Sequence, residues 1–161
     1  MQNLRIGIGF DVHAFAKGRP LFLGGVKIDY EYGLLGHSDA DVLIHAIMDS
    51  LLGAANLGDI GRLFPDTDLK YKDISSIELL KNVSTLLREK NIEIINIDSV
   101  VICEQPKIKG YIGSMKSAIS GALNGLTADR IGIKGTTTEK LGFTGRKEGI
   151  AAQAVSLILL G

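Results

Sequence analysis

The chain has 161 residues, 45% of them hydrophobic, and its 18 basic and 18 acidic side chains leave a formal net charge of zero. This length predicts one domain over residues 1–161, and the balanced charge excludes an overall basic field for nucleic acid or an anionic membrane. The single cysteine, Cys103, excludes an internal disulfide, which fits a reducing, cytoplasmic location. We find no secretory signal and no apolar run of the roughly 20 residues that a transmembrane helix needs.

The predicted elements are strands separated by helices. Strands are expected over residues 4–15, 21–23, 26–29, 92–104, 131–137 and 150–160. Helices are expected over residues 38–55, 75–90 and 107–123. This order predicts an α/β sandwich, a mixed β-sheet covered by helices.

The first strand divides its side chains between two faces, because successive residues of a strand point in opposite directions. The apolar face, which we expect to lie toward the core, carries Ile6, Ile8, Phe10 and Val12. The opposite face has glycines at positions 7 and 9, followed by Asp11 and His13. Glycine inside a strand often marks a close approach by a ligand or another backbone. Asp11 and His13 are therefore predicted to begin a metal site.

Polar residues recur at every fourth position in and before the first helix: His37, Asp41, His45 and Asp49. A helix places such residues on one face, and Ser38 is expected to cap its start. Asp11, His13 and His45 together would supply one carboxylate and two imidazoles. This is a ligand set of catalytic zinc, in which the fourth position is open to a substrate oxygen. The alternative is structural, with Asp41 as a cap, Asp49 solvated and the histidines hydrogen bonded.

The segment 135–146 combines glycines, four threonines, Glu139 and Arg146. Glycine lets backbone N–H groups approach phosphate oxygens, and the Arg146 guanidinium can bind phosphate through two hydrogen bonds. Glu139 suits a phosphate site only when Mg²⁺ lies between the two anions. The alternative is a strand end and turn, in which threonine is favoured for its β propensity.

These motifs together resemble the 2-C-methyl-D-erythritol 2,4-cyclodiphosphate synthase family of the non-mevalonate isoprenoid pathway. The matching stretches are residues 9–13, 37–42, 58–61, 63–68 and 136–146. The resemblance implies that 4-diphosphocytidyl-2-C-methyl-D-erythritol 2-phosphate is cyclised with release of CMP, in a chain without the cytidylyltransferase to which some relatives are fused. It also implies a homotrimer with its sheets around the axis and its active sites between adjacent subunits.

The resemblance assigns a role to each matching residue. Asp11, His13 and His45 would bind Zn²⁺, and Glu139 would bind Mg²⁺ or Mn²⁺ shared with the diphosphate. His37 and Thr137 match the catalytic positions that stabilise the transition state. The full set of substrate-binding positions that it implies is Asp11, Val12, His13, His37, Ser38, Asp59, Ile60, Gly61, Phe64, Pro65, Asp66, Thr67, Asp68, Cys103, Glu104, Gln105, Pro106, Lys107, Ile108, Lys109, Thr136, Thr137, Thr138, Glu139, Phe143 and Arg146.

Within that set, Ser38 would join His37 at the erythritol phosphate, Asp59 and Gly61 would contact the ribose, and residues 103–109 would hold the cytosine. We expect the cytidine side (Asp59, Lys107, Thr136, Thr137) to belong to one subunit and the metal side to its neighbour or to the shared seam. Residues 65–73 are the expected lid. An isoprenoid diphosphate is a further expected ligand at the trimer axis, beside Phe10, Phe143 and Arg146.

Two other functions compete with this interpretation. A zinc-dependent phosphodiesterase would use the same three ligands but activate water on the metal. A non-catalytic nucleotide- or metal-binding module would bind the ligand without turnover. The Thr-Thr-Thr-Glu segment argues against the module, because simple binding does not call for a second metal.

Overall fold

The structure is a computed structural model that describes residues 3–65 and 74–161. Its strands are β1 (Leu4–Lys17), β2 (Leu21–Leu23), β3 (Val26–Ile28), β4 (Tyr32–Leu34), β5 (Ile92–Ile102), β6 (Ile131–Thr136) and β7 (Gly149–Leu160). Its α-helices are α1 (Val42–Ala54), α2 (Ile60–Leu63), α3 (Ser76–Glu89), α4 (Ile112–Ala122) and α5 (Gly142–Gly145). The substrate positions Asp66, Thr67 and Asp68, and all of the expected lid except Pro65, lie outside the described residues.

One five-stranded sheet organises the molecule, in the order β4-β1-β7-β5-β6. Only β5 and β6 pair in parallel, and the other neighbours are antiparallel. Helix α1 lies across β1 and β7, α3 packs beside α1, and α4 packs against α3 and β6. This mixed sheet covered by helices confirms the predicted fold class. Across the described residues, no helix has the length and apolar character needed to cross a membrane.

The prediction for the two faces of β1 was wrong. Ile6, Ile8 and Phe10 are 72%, 63% and 56% exposed, and the glycine face is the one that packs against α1. A Cβ atom on Gly9 would collide with the backbone oxygen of Ala46, and one on Gly7 with that of Ser50. The helix backbone thus lies directly on the strand backbone, an approach that only glycine permits. The apolar side chains, Val12 included, are left on the outer surface of the sheet.

The start of α1 also differs from the prediction. The helix begins at Val42 with Asp41 as its N-cap, so Ser38 does not cap it and His37 lies outside it. Ala40 has a φ of 57°, a left-handed conformation that interrupts any helix beginning earlier. The fully buried Asp41 carboxylate accepts hydrogen bonds from the backbone N–H groups of Ile44, Gly24 and Gly25. It therefore ties the helix to the turn between β2 and β3.

Three short elements were missed, and one helix was predicted too long. β4, α2 and α5 have three or four residues each, too few for hydrophobic periodicity to show. β4 pairs with the last residues of β1, where the rings of Phe15, Tyr30 and Tyr32 pack together. Helix α4 begins at Ile112, because residues 109–111 form a separate 3₁₀ turn.

Candidate metal centre and phosphate-binding segment

Three side chains from β1 and α1 converge on one point. The Asp11 carboxylate Oδ2 lies 3.0 Å from His13 Nε2 and 2.9 Å from His45 Nδ1, and the two histidine nitrogens are 3.2 Å apart. Asp11 and His13 share the glycine face of β1, and the close packing described above brings His45 of α1 to them. The predicted convergence of these three residues is confirmed.

Hydrogen bonds on the far side of each ring fix which nitrogen faces the centre. His13 Nδ1 lies 2.7 Å from the Leu35 carbonyl oxygen, so Nδ1 donates and Nε2 turns its lone pair inward. His45 Nε2 lies 3.0 Å from the Ser76 hydroxyl, which donates its own proton to the Asp39 carboxylate. Ser76 therefore accepts from His45 Nε2, and Nδ1 is left as the inward lone pair. This outer set of partners is typical of metal-binding histidines.

The donor set at this centre fits a divalent cation. With the tautomers that these outer partners favour, three lone-pair-bearing atoms face one another, a repulsive arrangement unless a proton or a metal cation lies between them. Burial acts to raise the pKa of Asp11, but its hydrogen bonds with His13 and His45 outweigh burial and hold that pKa below its usual range. Burial acts to lower the pKa of His13, and hydrogen bonding to Asp11 raises it above its usual value. Both shifts show that the centre attracts positive charge.

The Asp39–Ser76 pair joins this centre to the start of α3. Asp39 accepts from the Ser76 hydroxyl and, at 2.9 Å, from the Ser76 backbone N–H. The Asp39 N–H donates in turn to the Ile74 carbonyl at 3.2 Å. Ser76 is fully buried, so its hydroxyl contacts protein groups alone. The orientation of His45 therefore depends on two residues that the sequence patterns did not single out, together with Ser38, whose hydroxyl oxygen lies 3.2 Å from the same Nε2.

A cavity of about 260 Å³ opens over the three ligands. Its walls include His37 and Ser38, as well as Ile60, Gly61 and Phe64 from the loop after α1. His37 Nε2 is buried and has no hydrogen-bond partner among the described residues. A buried, unpartnered imidazole nitrogen costs free energy unless a ligand completes it. The cavity therefore places an unsatisfied polar atom beside the metal centre.

The loop that carries Asp59 folds back onto the metal-bearing helix. Asp49, one turn after His45 on α1, accepts a 2.8 Å hydrogen bond from the Ile60 backbone N–H. Asp49 is therefore not simply solvated, and burial raises its pKa. Asp59 itself caps α2 by accepting from Arg62 N–H at 2.9 Å. The sequence groups Asp59 with Lys107 on the cytidine side, but the structure places the Asp59 loop beside the metal centre of the same chain.

A second cavity, of about 450 Å³, lies where β5 and β6 end. The wall residues are Cys103, Pro106, Lys107, Ile108, Lys109, Ile112, Gly135, Thr136 and Thr137. Most of the predicted cytosine segment thus surrounds one hollow. Glu104 and Gln105 are absent from that wall, and the Glu104 side chain instead contacts the backbone after β6.

A series of polar side chains follows β6 in the chain, beginning with Thr137 on the wall of this second cavity. The Thr137 hydroxyl donates to Glu139 Oε1 at 2.8 Å, and Thr138 Oγ1 lies 2.8 Å from Thr144 Oγ1. Arg146 pairs with Glu148 through Nε at 2.8 Å and through Nη2 at 3.2 Å. A ligand phosphate would have to draw the guanidinium away from that exposed partner.

The two cavities are separate within one chain. The first contains the three proposed metal ligands and His37, and the second contains Lys107 and Thr137. Neither cavity includes a wall residue of the other. His37 and Thr137, which the resemblance assigns to one transition state, are therefore not brought together by a single chain.

Comparisons with known proteins agree with this geometry. The model of the YgbB family matches residues 4–159. The 2-C-methyl-D-erythritol 2,4-cyclodiphosphate synthase of Caldicellulosiruptor bescii is 58% identical over 154 residues, which cover 96% of this chain and 98% of the relative.

Two solved structures are similar throughout the chain. The bifunctional IspDF of Campylobacter jejuni matches with a TM-score of 0.95 and 48% identity, over 100% of this chain and 43% of that one. The chain thus spans less than half of that bifunctional protein. The IspF of Plasmodium falciparum, solved as a CDP complex, matches with a TM-score of 0.85 and 37% identity, over 99% of this chain and 98% of that one.

Proposed function

This chain belongs to the YgbB family of 2-C-methyl-D-erythritol 2,4-cyclodiphosphate synthases, and we propose here how its residues carry out that reaction. The protein is a lyase that converts 4-diphosphocytidyl-2-C-methyl-D-erythritol 2-phosphate to 2-C-methyl-D-erythritol 2,4-cyclodiphosphate and CMP, in isoprenoid biosynthesis. An oxygen of the 2-phosphate bonds to the β-phosphorus, and the bond from that phosphorus to the CMP oxygen breaks. Because the attacking phosphate is ionised at neutral pH, no strong general base is required.

We propose that Asp11, His13 and His45 hold Zn²⁺. Two imidazoles and one carboxylate with a vacant fourth position make a donor set suited to catalytic zinc. Bound there, the ion would supply Lewis-acid stabilisation of charge on a phosphoryl oxygen. The observation that supports this assignment is the set of three inward lone pairs, which the hydrogen bonds of His13 to Leu35 and of His45 to Ser76 enforce.

We propose that Glu139 holds a second divalent cation, Mg²⁺ or Mn²⁺, together with the diphosphate. Among the described residues, the Asp11 group is the only cluster of three or more such ligands, so Glu139 is not part of a protein cage. That suits Mg²⁺, which commonly uses one or two carboxylates and takes its other ligands from substrate phosphates and water. The Thr137 hydroxyl, bound to Glu139 Oε1, holds the carboxylate in place.

The chain's own polar groups then act by positioning and by charge stabilisation. The second cavity takes the cytosine, and Lys107 at its wall offers a positive charge to the nucleotide phosphates. His37 offers its unpartnered Nε2 to a phosphate oxygen over the first cavity, with Ser38 beside it. On the opposite side of the diphosphate, Thr137 would turn its one hydroxyl proton from Glu139 Oε1 to a phosphate oxygen once a cation holds that carboxylate. Asp59 and Gly61 contact the ribose from the loop that Asp49 anchors.

We propose a homotrimer, in which the first cavity of one subunit faces the second cavity of its neighbour. Ile6, Ile8 and Phe10 form a contiguous apolar surface on the outer face of β1, and Val155 lies directly opposite Ile8 on β7. An exposed apolar patch of this kind is typical of an interface between subunits. A mass in solution three times that of the chain supports the trimer, and a monomeric mass contradicts it.

An isoprenoid diphosphate at the trimer axis remains a prediction. Phe10 and Phe143 are 56% and 39% exposed in the single chain, and the Arg146 guanidinium lies three residues after Phe143. Aromatic rings beside a guanidinium suit an apolar chain that ends in an anion. A titration with geranyl diphosphate that shows no binding would remove this ligand from the account.

Product analysis separates the three functions that the sequence allowed. The protein is incubated with the cytidyl substrate, Zn²⁺ and Mg²⁺, and the products are identified by phosphorus NMR. We expect the cyclic diphosphate and CMP in equal amounts. An open-chain phosphate would indicate a hydrolase, and binding without conversion would indicate a non-catalytic module. Either of those two results contradicts the proposal.

A further inference from the structure

One side chain from the end of β5 holds the backbone that follows β6. Glu104 Oε1 accepts hydrogen bonds from the backbone N–H groups of Thr138, at 3.2 Å, and Lys140, at 3.1 Å. These two amides lie on either side of Glu139. We propose that Glu104 is the positioning residue for Glu139, a role that rests on the proposed function of Glu139 as a cation ligand.

The turn that Glu104 holds has an unfavourable backbone conformation. Glu139 and Lys140 have φ angles of 52° and 65°, so two successive residues with side chains are left-handed. Such conformations persist only where the surrounding structure determines them. A single carboxylate oxygen that accepts from the amides on both sides of Glu139 supplies that constraint, since hydrogen bonds to a charged acceptor are the stronger kind.

The opposite side of the turn is braced independently. The Thr138 hydroxyl donates to the Leu141 carbonyl at 2.7 Å, and the Leu141 N–H donates to the Thr138 carbonyl at 2.9 Å. Gly145 packs against the Lys140 backbone so closely that a Cβ atom there would collide with it. Loss of the Glu104 side chain would therefore loosen one side of the turn without dissolving the segment.

Glu104 also connects the two ligand-binding parts of this region. Its chain neighbour Cys103 lies on the wall of the second cavity, and the Cys103 N–H pairs with the Thr136 carbonyl at 3.0 Å. That backbone pairing does not involve the Glu104 side chain. The cavity for the base is thus built by strand pairing, whereas the orientation of Glu139 depends on the carboxylate.

Three variants test this role. Glu104→Ala removes the acceptor, whereas Glu104→Gln keeps an oxygen that accepts the same two hydrogen bonds without the charge. Glu78→Ala is the matched control, because Glu78 is an exposed residue of α3 paired only with Lys81 among the described residues. The measurements are amide hydrogen exchange at Thr138 and Lys140, CMP affinity, and the Mn²⁺ concentration that gives half the maximal rate.

We expect Glu104→Ala to speed exchange of both amides at least about tenfold. It should raise the Mn²⁺ requirement about 10- to 100-fold, as is typical when a residue that orients a metal ligand is lost. CMP affinity should stay within about twofold of wild type, because strand pairing builds the base cavity. Glu104→Gln should keep the slow amide exchange, and Glu78→Ala should match wild type in all three measurements.

Wild-type amide exchange in Glu104→Ala would overturn the positioning role, as would equal losses of Mn²⁺ and CMP binding. So would a Glu104→Gln protein whose two amides exchange as fast as those of Glu104→Ala. Hydrogen exchange needs no substrate, so it tests the contact between Glu104 and the two amides even if the wild-type protein forms no cyclic product. That last result would contradict the proposed function alone.

Discussion

The metal side and the nucleotide side of this protein are prepared for their ligands to different degrees. Asp11, His13 and His45 already stand within 3.2 Å of one another, and hydrogen bonds behind the rings select their inward atoms. On the other side, Glu139 is a lone carboxylate held by a threonine hydroxyl and a strained turn. Arg146 is occupied by an exposed glutamate.

This difference follows from how each side is built. The metal side is formed by a strand and a buried helix whose backbones touch, so its ligands are held by the core itself. The nucleotide side is formed by strand ends and a turn, which a partner subunit and the substrate would complete in the proposed trimer. We infer that loss of a side-chain ligand on the metal side abolishes metal binding. Substitutions on the nucleotide side mainly raise the concentrations of cation and substrate that the reaction needs.

The largest expected effect comes from removing a metal ligand. His45→Ala should lose zinc and reduce the rate on the order of 10³-fold or more, since the remaining two ligands cannot hold the ion. His37→Ala is the matched comparison, and it should keep zinc while losing on the order of 10²-fold in rate. Metal analysis, rates and circular dichroism check both variants. Full activity in a zinc-free, folded His45→Ala protein would reject the metal assignment.

The next effect concerns the contact between β1 and α1 that brings the ligands together. Gly9→Ala places a methyl group against the Ala46 backbone oxygen, and the overpacking should cost about 3 kcal/mol, or about 150-fold in the unfolding equilibrium. Zinc affinity should fall with stability. Gly113→Ala is the control, because a Cβ there meets open space in α4 and should stabilise by up to about 1 kcal/mol. Urea unfolding gives both values, and equal stabilities would contradict the packing.

A third prediction tests the nucleotide side through its cysteine. Burial raises the pKa of Cys103 to about 11. At pH 8 a smaller fraction of this thiol is therefore ionised than for a cysteine with the ordinary pKa of 9.0. Two pKa units correspond to about 100-fold slower alkylation by iodoacetamide than in the urea-unfolded chain. The rate should rise about tenfold per pH unit between pH 8 and pH 10. A native rate equal to the unfolded rate at pH 8 would show that the thiol is not shielded.

The smallest expected effect comes from the residues behind His45. Ser76→Ala removes the hydroxyl that accepts from His45 Nε2, so zinc affinity should fall about tenfold, at the lower end of the losses typical for residues that orient a metal ligand. Ser117→Ala is the control, since the Ser117 hydroxyl is exposed on α4 and binds only a carbonyl of its own helix among the described residues. Competition with a zinc chelator measures both affinities. Unchanged affinity in Ser76→Ala would remove this residue from the metal centre.

The three proposed metal ligands could be predicted because each lies in a short sequence pattern that indicates where its side chain points. Asp11 and His13 alternate on one strand, and His45 is a polar residue on a helix that is otherwise mostly apolar. The supporting residues could not be found in this way. Ser76 is 31 residues from His45 in the chain, and Glu104 is 34 residues from Thr138. Such partners are chosen by tertiary packing and leave no local signal.

Two of the local errors in the predicted fold have the same origin. Alternation in β1 distinguishes two faces but does not say which one is buried, and glycines made the approach of α1 possible on the face with less bulk. The start of α1 was placed too early because Ser38 is a good cap by type, whereas the left-handed Ala40 delays the helix to Val42. In both places backbone geometry overrode the residue-type preference.

Complementation between two inactive variants tests most directly whether an active site is shared by adjacent subunits. His45→Ala lacks the metal side and Glu139→Gln lacks the cation ligand of the nucleotide side. The two are mixed at equal amounts under conditions that exchange subunits. If each site joins the first cavity of one subunit to the second cavity of its neighbour, about a quarter of the sites regain both intact sides, with a matching recovery of activity. A mixture that exchanges subunits but stays as inactive as its components would contradict the shared site.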